Sequence, residues 1–142
     1  MATAEIVYSR ELTLHSEEFI DVLKRSTLAA RRPVDDTERM KCMCQNANLI
    51  VTARKDGKLV GVARSLTDFI YCTYLSDLAV DESLQKQGIG TRLIAETKKL
   101  TPQAKLILLS APAAVNYYPK IGMTNHPHCY MLDDVNDLKL TH

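Results

Sequence analysis

The chain has 142 residues, 46% of them apolar and 25% charged, the make-up of one globular domain and not of a disordered segment. Its 18 Lys and Arg nearly balance 17 Asp and Glu, so no overall charge draws it to nucleic acid or to an anionic membrane, and an anionic ligand must be caught by local geometry. No apolar run approaches the roughly 20 residues of a bilayer span, and residues 1–10 are too polar for a secretory leader, so a cytoplasmic protein is expected.

Residues 5–9 read as a first strand. Ser16 is expected to cap a helix whose first turn sets Glu17 and Glu18 against the positive end of its dipole, with Phe19, Val22 and Leu23 as the buried stripe. After a loop at residues 30–34, Asp35 with Glu38 three positions on predicts a second helix start. Met40, Met43, Cys44 and Ala47 then recur at helical spacing, as core and not as ligands. Residues 48–54 and 59–66 are strand-like runs joined by Lys55-Asp56-Gly57-Lys58, and Asp-Gly at that place predicts a hairpin. A third run, residues 71–80, ends at Asp81.

A polar turn with two glycines leads into a predicted helix over 89–100, with Ile89, Leu93, Thr97 and Leu100 on one face and Thr101-Pro102 as its stop. Residues 105–110 are almost continuously apolar, which predicts a strand buried on both faces and makes 71–110 a parallel crossover unit. Residues 113–118 suggest a short helix, and 123–132 one or two edge strands. The fold class expected is α/β: a mixed sheet flanked by helices in the order β-α-α-β-β-β-α-β-α-β, in a single domain over residues 1–142.

The four cysteines, without a secretory leader, predict no disulfide framework. Cys42, Cys44, His126, His128 and Cys129 lack the two-residue gap between paired ligands, so buried thiols and surface histidines are expected, and no metal.

The segment Leu78-Ala79-Val80-Asp81-Glu82-Ser83-Leu84-Gln85-Lys86-Gln87-Gly88-Ile89-Gly90-Thr91 carries the most information. A strand ends, a polar loop turns, and a helix begins at two of the chain's five glycines. The first turn of a helix leaves about four N–H groups without internal partners. With the dipole these form an anion site, and glycine lets a phosphate approach closely. Gly90-Thr91-Arg92 does not supply the Gly-Lys-Ser/Thr of a nucleoside-triphosphate loop, and two glycines do not meet the three-glycine dinucleotide fingerprint. A tight turn needing glycine for its own sake is the other reading of these residues.

Gln85-x-x-Gly88-x-Gly90 after a strand ending Leu78-Ala79-Val80 resembles the pyrophosphate loop of the GNAT superfamily of N-acyltransferases. Downstream, residues 114–123 (Ala-Val-Asn-Tyr-Tyr-Pro-Lys-Ile-Gly-Met) are similar to that family's late helix, which ends in Tyr, a short spacer, then Gly and an apolar residue. The element order matches as well, over nearly the whole chain. The resemblance implies a strongly bent mixed sheet whose fourth and fifth strands splay apart. It implies acetyl-coenzyme A as cosubstrate, its pantetheine arm along Leu78, Ala79 and Val80, its pyrophosphate on Gln85, Lys86, Gln87, Gly88, Ile89, Gly90 and Thr91, and a polar contact from Asn116.

The family moves acetyl directly from the thioester to an amine. Tyr118 matches the position of the general acid that protonates the departing thiolate, a task a phenol suits because it is protonated at neutral pH. Pro119 is expected to set Tyr118 at the end of its helix, with Tyr117 as the packed neighbour. Asp77, then Asp68, are the nearest carboxylates for a general base, and a structural role for Asp77 stays open. Arg31, Asp68, Tyr71 and Tyr74 are the expected walls of the acceptor pocket. The expected partner is a small-molecule or peptide amine, with neither nucleic acid nor membrane, and the resemblance admits a homodimer. A non-catalytic acyl-coenzyme A sensor on the same fold is the alternative.

Overall fold

A computed structural model of the chain describes residues 5–139, in a first unit that ends at Leu109 and a second that begins at Ser110. The first unit holds one sheet of five strands in the order β1 (Ile6–Arg10), β2 (Leu49–Lys55), β3 (Lys58–Thr67), β4 (Cys72–Val80) and β5 (Lys105–Ile107). Neighbours are antiparallel up to β4, and β4–β5 is parallel. Asp56 and Gly57 join β2 to β3 with φ of 52° and 80°, the two left-handed residues of a hairpin turn whose twist suits the strands.

Helices α1 (Ser16–Ser26) and α2 (Thr37–Asn46) cover one face of the sheet and α3 (Ile89–Leu100) covers the other. Strand alternation explains the division. On β2, Ile50 joins Phe19, Val22, Leu23 and Met40 of α1 and α2, whereas Leu49, Val51 and Ala53 join Ile89 and Leu93 of α3. Burying each such side chain stabilises the fold by about 1.5–3 kcal/mol. Gly61 on β3 faces α3 so closely that a Cβ there would lie 3.1 Å from a Leu93 methyl and 3.2 Å from an Ile89 methyl. The crossover from β4 through α3 to β5 is as expected, and α3 has the bounds read from the sequence.

Six expectations are corrected. His15, not Ser16, is the N-cap of α1, and no side chain caps it. Asp36, not Asp35, caps α2, accepting the Arg39 N–H at 3.0 Å. Strand β5 has three residues and is not buried on both faces: Ile107 and Leu109 are about half exposed, because β5 is the sheet's last strand. Leu100, at the C-terminal end of α3, is exposed.

The fifth and sixth corrections concern the second unit. Among its described residues there is no strand, so the edge strands expected at 123–132 are missing. Pro127 has no amide to give a ladder, and the His126 ring Nδ1 accepts the His128 N–H at 3.0 Å, which bends the chain. Helix α4 (Tyr117–Lys120) is a single turn following a 3-10 turn at Pro112–Ala114. Tyr118 lies inside that turn, not at a helix end, because Pro119 sits where an N–H has no helical partner.

Candidate active site

Strand β5 pairs only with Cys72, Thr73 and Tyr74, while β4 continues to Val80. Beyond Tyr74 the outer edge of β4 therefore has no strand paired to it among the described residues. A bulge sets which residues line that edge: Leu75 opposes Ser65 and Asp77 opposes Arg64, leaving Ser76 as the extra residue. The Asp81 N–H donates to Val60 O at 2.8 Å, so Asp77 and Ala79 turn their backbone groups toward β3, and Leu78 and Val80 turn theirs to the outer edge. Of the three strand residues expected along the pantetheine arm, Leu78 and Val80 present backbone there and Ala79 does not.

The glycine loop follows directly. Asp81 Oδ1 caps a short turn by accepting the Ser83 N–H at 2.9 Å and the Ser83 hydroxyl at 2.7 Å, and its Oδ2 accepts from Arg25 Nη1 at 2.6 Å. Burial pushes the Asp81 carboxyl up, but the bonds from Ser83 and Arg25 outweigh it and hold it below its ordinary range. Gln85 Nε2 donates back to Val80 O at 3.0 Å. Lys86 and Gly88 adopt φ of 65° and 85°, and Gly88 is the N-cap of α3 with no side chain over it. Nothing lies within 4 Å of a Cβ built at Gly88, so its backbone conformation, and not lack of space, calls for glycine.

Gln85, Lys86, Gln87, Gly88 and Thr91 are exposed, Gly90 is partly so, and Ile89 points into the core and anchors the turn. The turn that begins α3 is thus on the surface, next to the C-terminal end of β4. Arg92 does not add a loose charge here: its guanidinium lies 4.7 Å from the Tyr8 ring centre and its Nε bonds Glu96 at 2.8 Å.

On the other face of β4, Asp77 is fully buried and both its oxygens accept from guanidiniums, Oδ1 from Arg32 and Oδ2 from Arg64. A carboxylate so enclosed has no oxygen turned to a substrate, and the general-base role expected of Asp77 does not fit this geometry. Sequence reasoning missed both partners. A lone Arg64 inside the apolar run of β3 was the available signal, since a buried cation requires an anion on a neighbouring strand.

Asp68 and Tyr74 meet in one open cleft of about 450 Å³ at the N-terminal end of β4, with Asn48, Leu66, Cys72 and Ile107 among its walls. Asp68 Oδ1 accepts the N–H groups of Ile70, Tyr71 and Cys72 at 2.9, 2.8 and 3.0 Å. These bonds, led by that of Tyr71, hold its carboxyl below the usual range. Tyr71 is exposed on the loop so formed and does not line the cleft, nor does Arg31, exposed at the end of a 3-10 turn (Leu28–Arg31).

In the second unit, Tyr118 is half-buried and its ring meets that of Tyr117 edge-on, centres 5.1 Å apart. Burial, and to a lesser degree Tyr117, raises the Tyr118 phenol above its ordinary range, so it keeps its proton well past neutral pH. Asn116 is exposed and precedes α4.

A family model described as an acetyltransferase (GNAT) domain matches residues 14–130. The chain belongs to the GNAT acetyltransferase family. The sheet and helices of this GNAT protein superpose on a GNAT family protein from Streptococcus pneumoniae with a TM-score of 0.77, at 19% identity over 94% of this chain and 100% of that one. They superpose on the aminoglycoside N-acetyltransferase AAC(6')-Iy, in complex with CoA, with a TM-score of 0.72 at 14% identity over 94% and 97% of the two chains. An uncharacterized N-acetyltransferase, ycf52, of Pyropia yezoensis is 24% identical over 137 residues, 88% of this GNAT chain and 77% of its own. No helix among the described residues is long and apolar enough to cross a membrane.

Proposed function

We propose that this chain is a single-domain, cytoplasmic enzyme that transfers acetyl from acetyl-coenzyme A directly onto a primary amine of a small molecule or peptide. The observation that carries the reading is the start of α3 at Gly88 in a left-handed conformation, directly after a strand whose outer edge has no strand paired to it beyond Tyr74 among the described residues. First-turn amides and the helix dipole favour a pyrophosphate, and exposed Gly88 leaves room for it. The backbone of Leu78 and Val80 offers an extended amide-bearing arm a strand-like partner.

Acetyl-coenzyme A supplies the activated acetyl group; the residues of the chain bind, orient and move protons. The acceptor enters by the Asp68–Tyr74 cleft, at the opposite end of β4 from the glycine loop. The amine must arrive without its extra proton, since an ammonium has no lone pair. Tyr118 holds a phenolic proton for the departing sulfur, and its raised pKa keeps that proton in place at working pH. Asn116 makes a polar contact to the cofactor, and a homodimer suits a protein of this family.

A panel of amines with acetyl-coenzyme A, read by release of free thiol, tests the reaction. Gly88→Glu sets a carboxylate on the phosphate site, and calorimetry should show acetyl-coenzyme A binding largely lost with little change in thermal unfolding. Unchanged affinity would refute the loop assignment. Binding without thiol release from any amine would make the chain a sensor of acyl-coenzyme A.

A further inference from the structure

Two guanidiniums converge on one buried carboxylate where β4 bulges. Arg64 reaches Asp77 from β3, and Arg32 reaches it from the connection between α1 and α2. Each also bonds Ser76, the extra residue of the bulge: Arg32 Nη2 donates to its carbonyl at 2.8 Å and Arg64 Nη2 to its Oγ at 3.1 Å. Arg64 Nη1 further donates to Met43 O of α2 at 3.1 Å. A bulge takes backbone groups out of the ladder, and a half-buried carbonyl then needs another donor. The planar fork of Arg32 serves carbonyl and carboxylate at once, which the single ammonium of a lysine does poorly.

The opposite end of β4 has separate anchors. Arg25 holds Asp81 at 2.6 Å and Gln85 holds Val80 O at 3.0 Å, both beside the glycine loop. The glycine-loop end of the strand thus has bonds that do not involve Arg32 or Arg64.

We propose that Arg32, Asp77 and Arg64 form a positioning device that locks the Ser76 bulge and ties the α1–α2 connection to it, so setting how the middle of β4 presents the reacting groups while the glycine loop keeps its own anchors. This inference rests on the acetyl-transfer reading. Asp77 carries no proton in the reaction; its charge is spent on two cations. Cys44, the nearby thiol, stays neutral because burial pushes it up to about 11.

Arg32→Gln is the informative variant, because Arg32 is partly exposed whereas Asp77→Asn strands two guanidiniums and risks the fold. A displaced reacting group loses roughly ten- to a hundred-fold in rate, and that is the fall expected in kcat and in kcat/KM for the acceptor. The factor should be the same at every pH from about 6.5 to 9.5. The dissociation constant of coenzyme A, by calorimetry, should move less than about two-fold, and Arg32→Lys should recover part of the rate, since one of the two bonds survives. Where Asp77→Asn folds, it should show the same flat pH dependence. Unchanged turnover in Arg32→Gln overturns the proposal, as does coenzyme A affinity that falls in step with turnover. An Asp77→Asn loss that is deep at neutral pH and gone at alkaline pH also overturns it, by making Asp77 a base. A wild-type protein that gives no amine-dependent thiol release with any amine of the panel defeats the acetyl-transfer reading itself and is recognised before any variant is compared.

Discussion

On the proposed mechanism leaving-group protonation falls to Tyr118, and its neighbour provides the internal control. Both rings are partly buried and they touch edge to face. Removing only the hydroxyl keeps the packing, so Tyr118→Phe should lower kcat by roughly 100-fold, within the usual range for a lost proton donor, and leave cofactor affinity intact. Tyr117→Phe should cost far less; the reverse order in steady-state kinetics would show that the other tyrosine is the acid. At this scale the sequence made the glycine turn legible, since Gly88 begins α3 with a φ of 85° that suits glycine. It left Asp77 open between a base and a structural role. The charge of a strand residue looks like a reactive group until its partners are known, and Arg32 and Arg64 lie 45 and 13 residues away in the chain.

Among the elements, α3 decides the geometry of the cofactor side, and it docks through Ile89 and Leu93 onto Gly61. The bounds of α3 were legible because its apolar period, glycine start and Thr-Pro stop agree with one another. Strand β5 and the segment 123–132 were not legible. An apolar run reads the same whether a strand pairs along its whole length or for three residues, and only the splay from β4 distinguishes them. The Gly61 contact predicts a distant effect on binding. Gly61→Val forces methyl groups into atoms already 3.1–3.3 Å from a Cβ, which should destabilise the fold by about 1–3 kcal/mol. Because α3 must shift outward, acetyl-coenzyme A affinity should fall as well, although Gly61 lies in the sheet and not in the loop. A variant with the wild-type unfolding temperature and affinity would mean that α3 accommodates the added volume.

Charge balance over the whole molecule is close to neutral, so, on the proposed mechanism, discrimination among acceptors comes from the local field at the cleft. With Asp77 neutralised by two arginines, Asp68 is the carboxylate left at the acceptor end, and the residues lining the cleft include no Lys or Arg. Three amides hold the Asp68 carboxyl below its usual range. Its charge is thus present above the ordinary carboxylate pKa and disappears only as pH falls through that lowered value. Cationic and neutral primary amines should therefore outperform amines bearing an adjacent carboxylate, by a few-fold as expected for an exposed, solvent-screened charge. Asp68→Asn is a clean test, because an amide oxygen can still accept from Ile70, Tyr71 and Cys72 while the charge is gone. The variant should keep its turnover with neutral amines and lose the preference, and added salt should erode the preference in the wild type but not in the variant. Across the neutral range activity should climb with pH as the acceptor amine deprotonates, with the preference constant because Asp68 does not titrate there. The climb should level off as pH passes the acceptor amine's own pKa, and activity should fall only above the ordinary phenol range, where Tyr118 loses its proton. A preference for acidic acceptors that survives Asp68→Asn would place the acceptor outside this cleft.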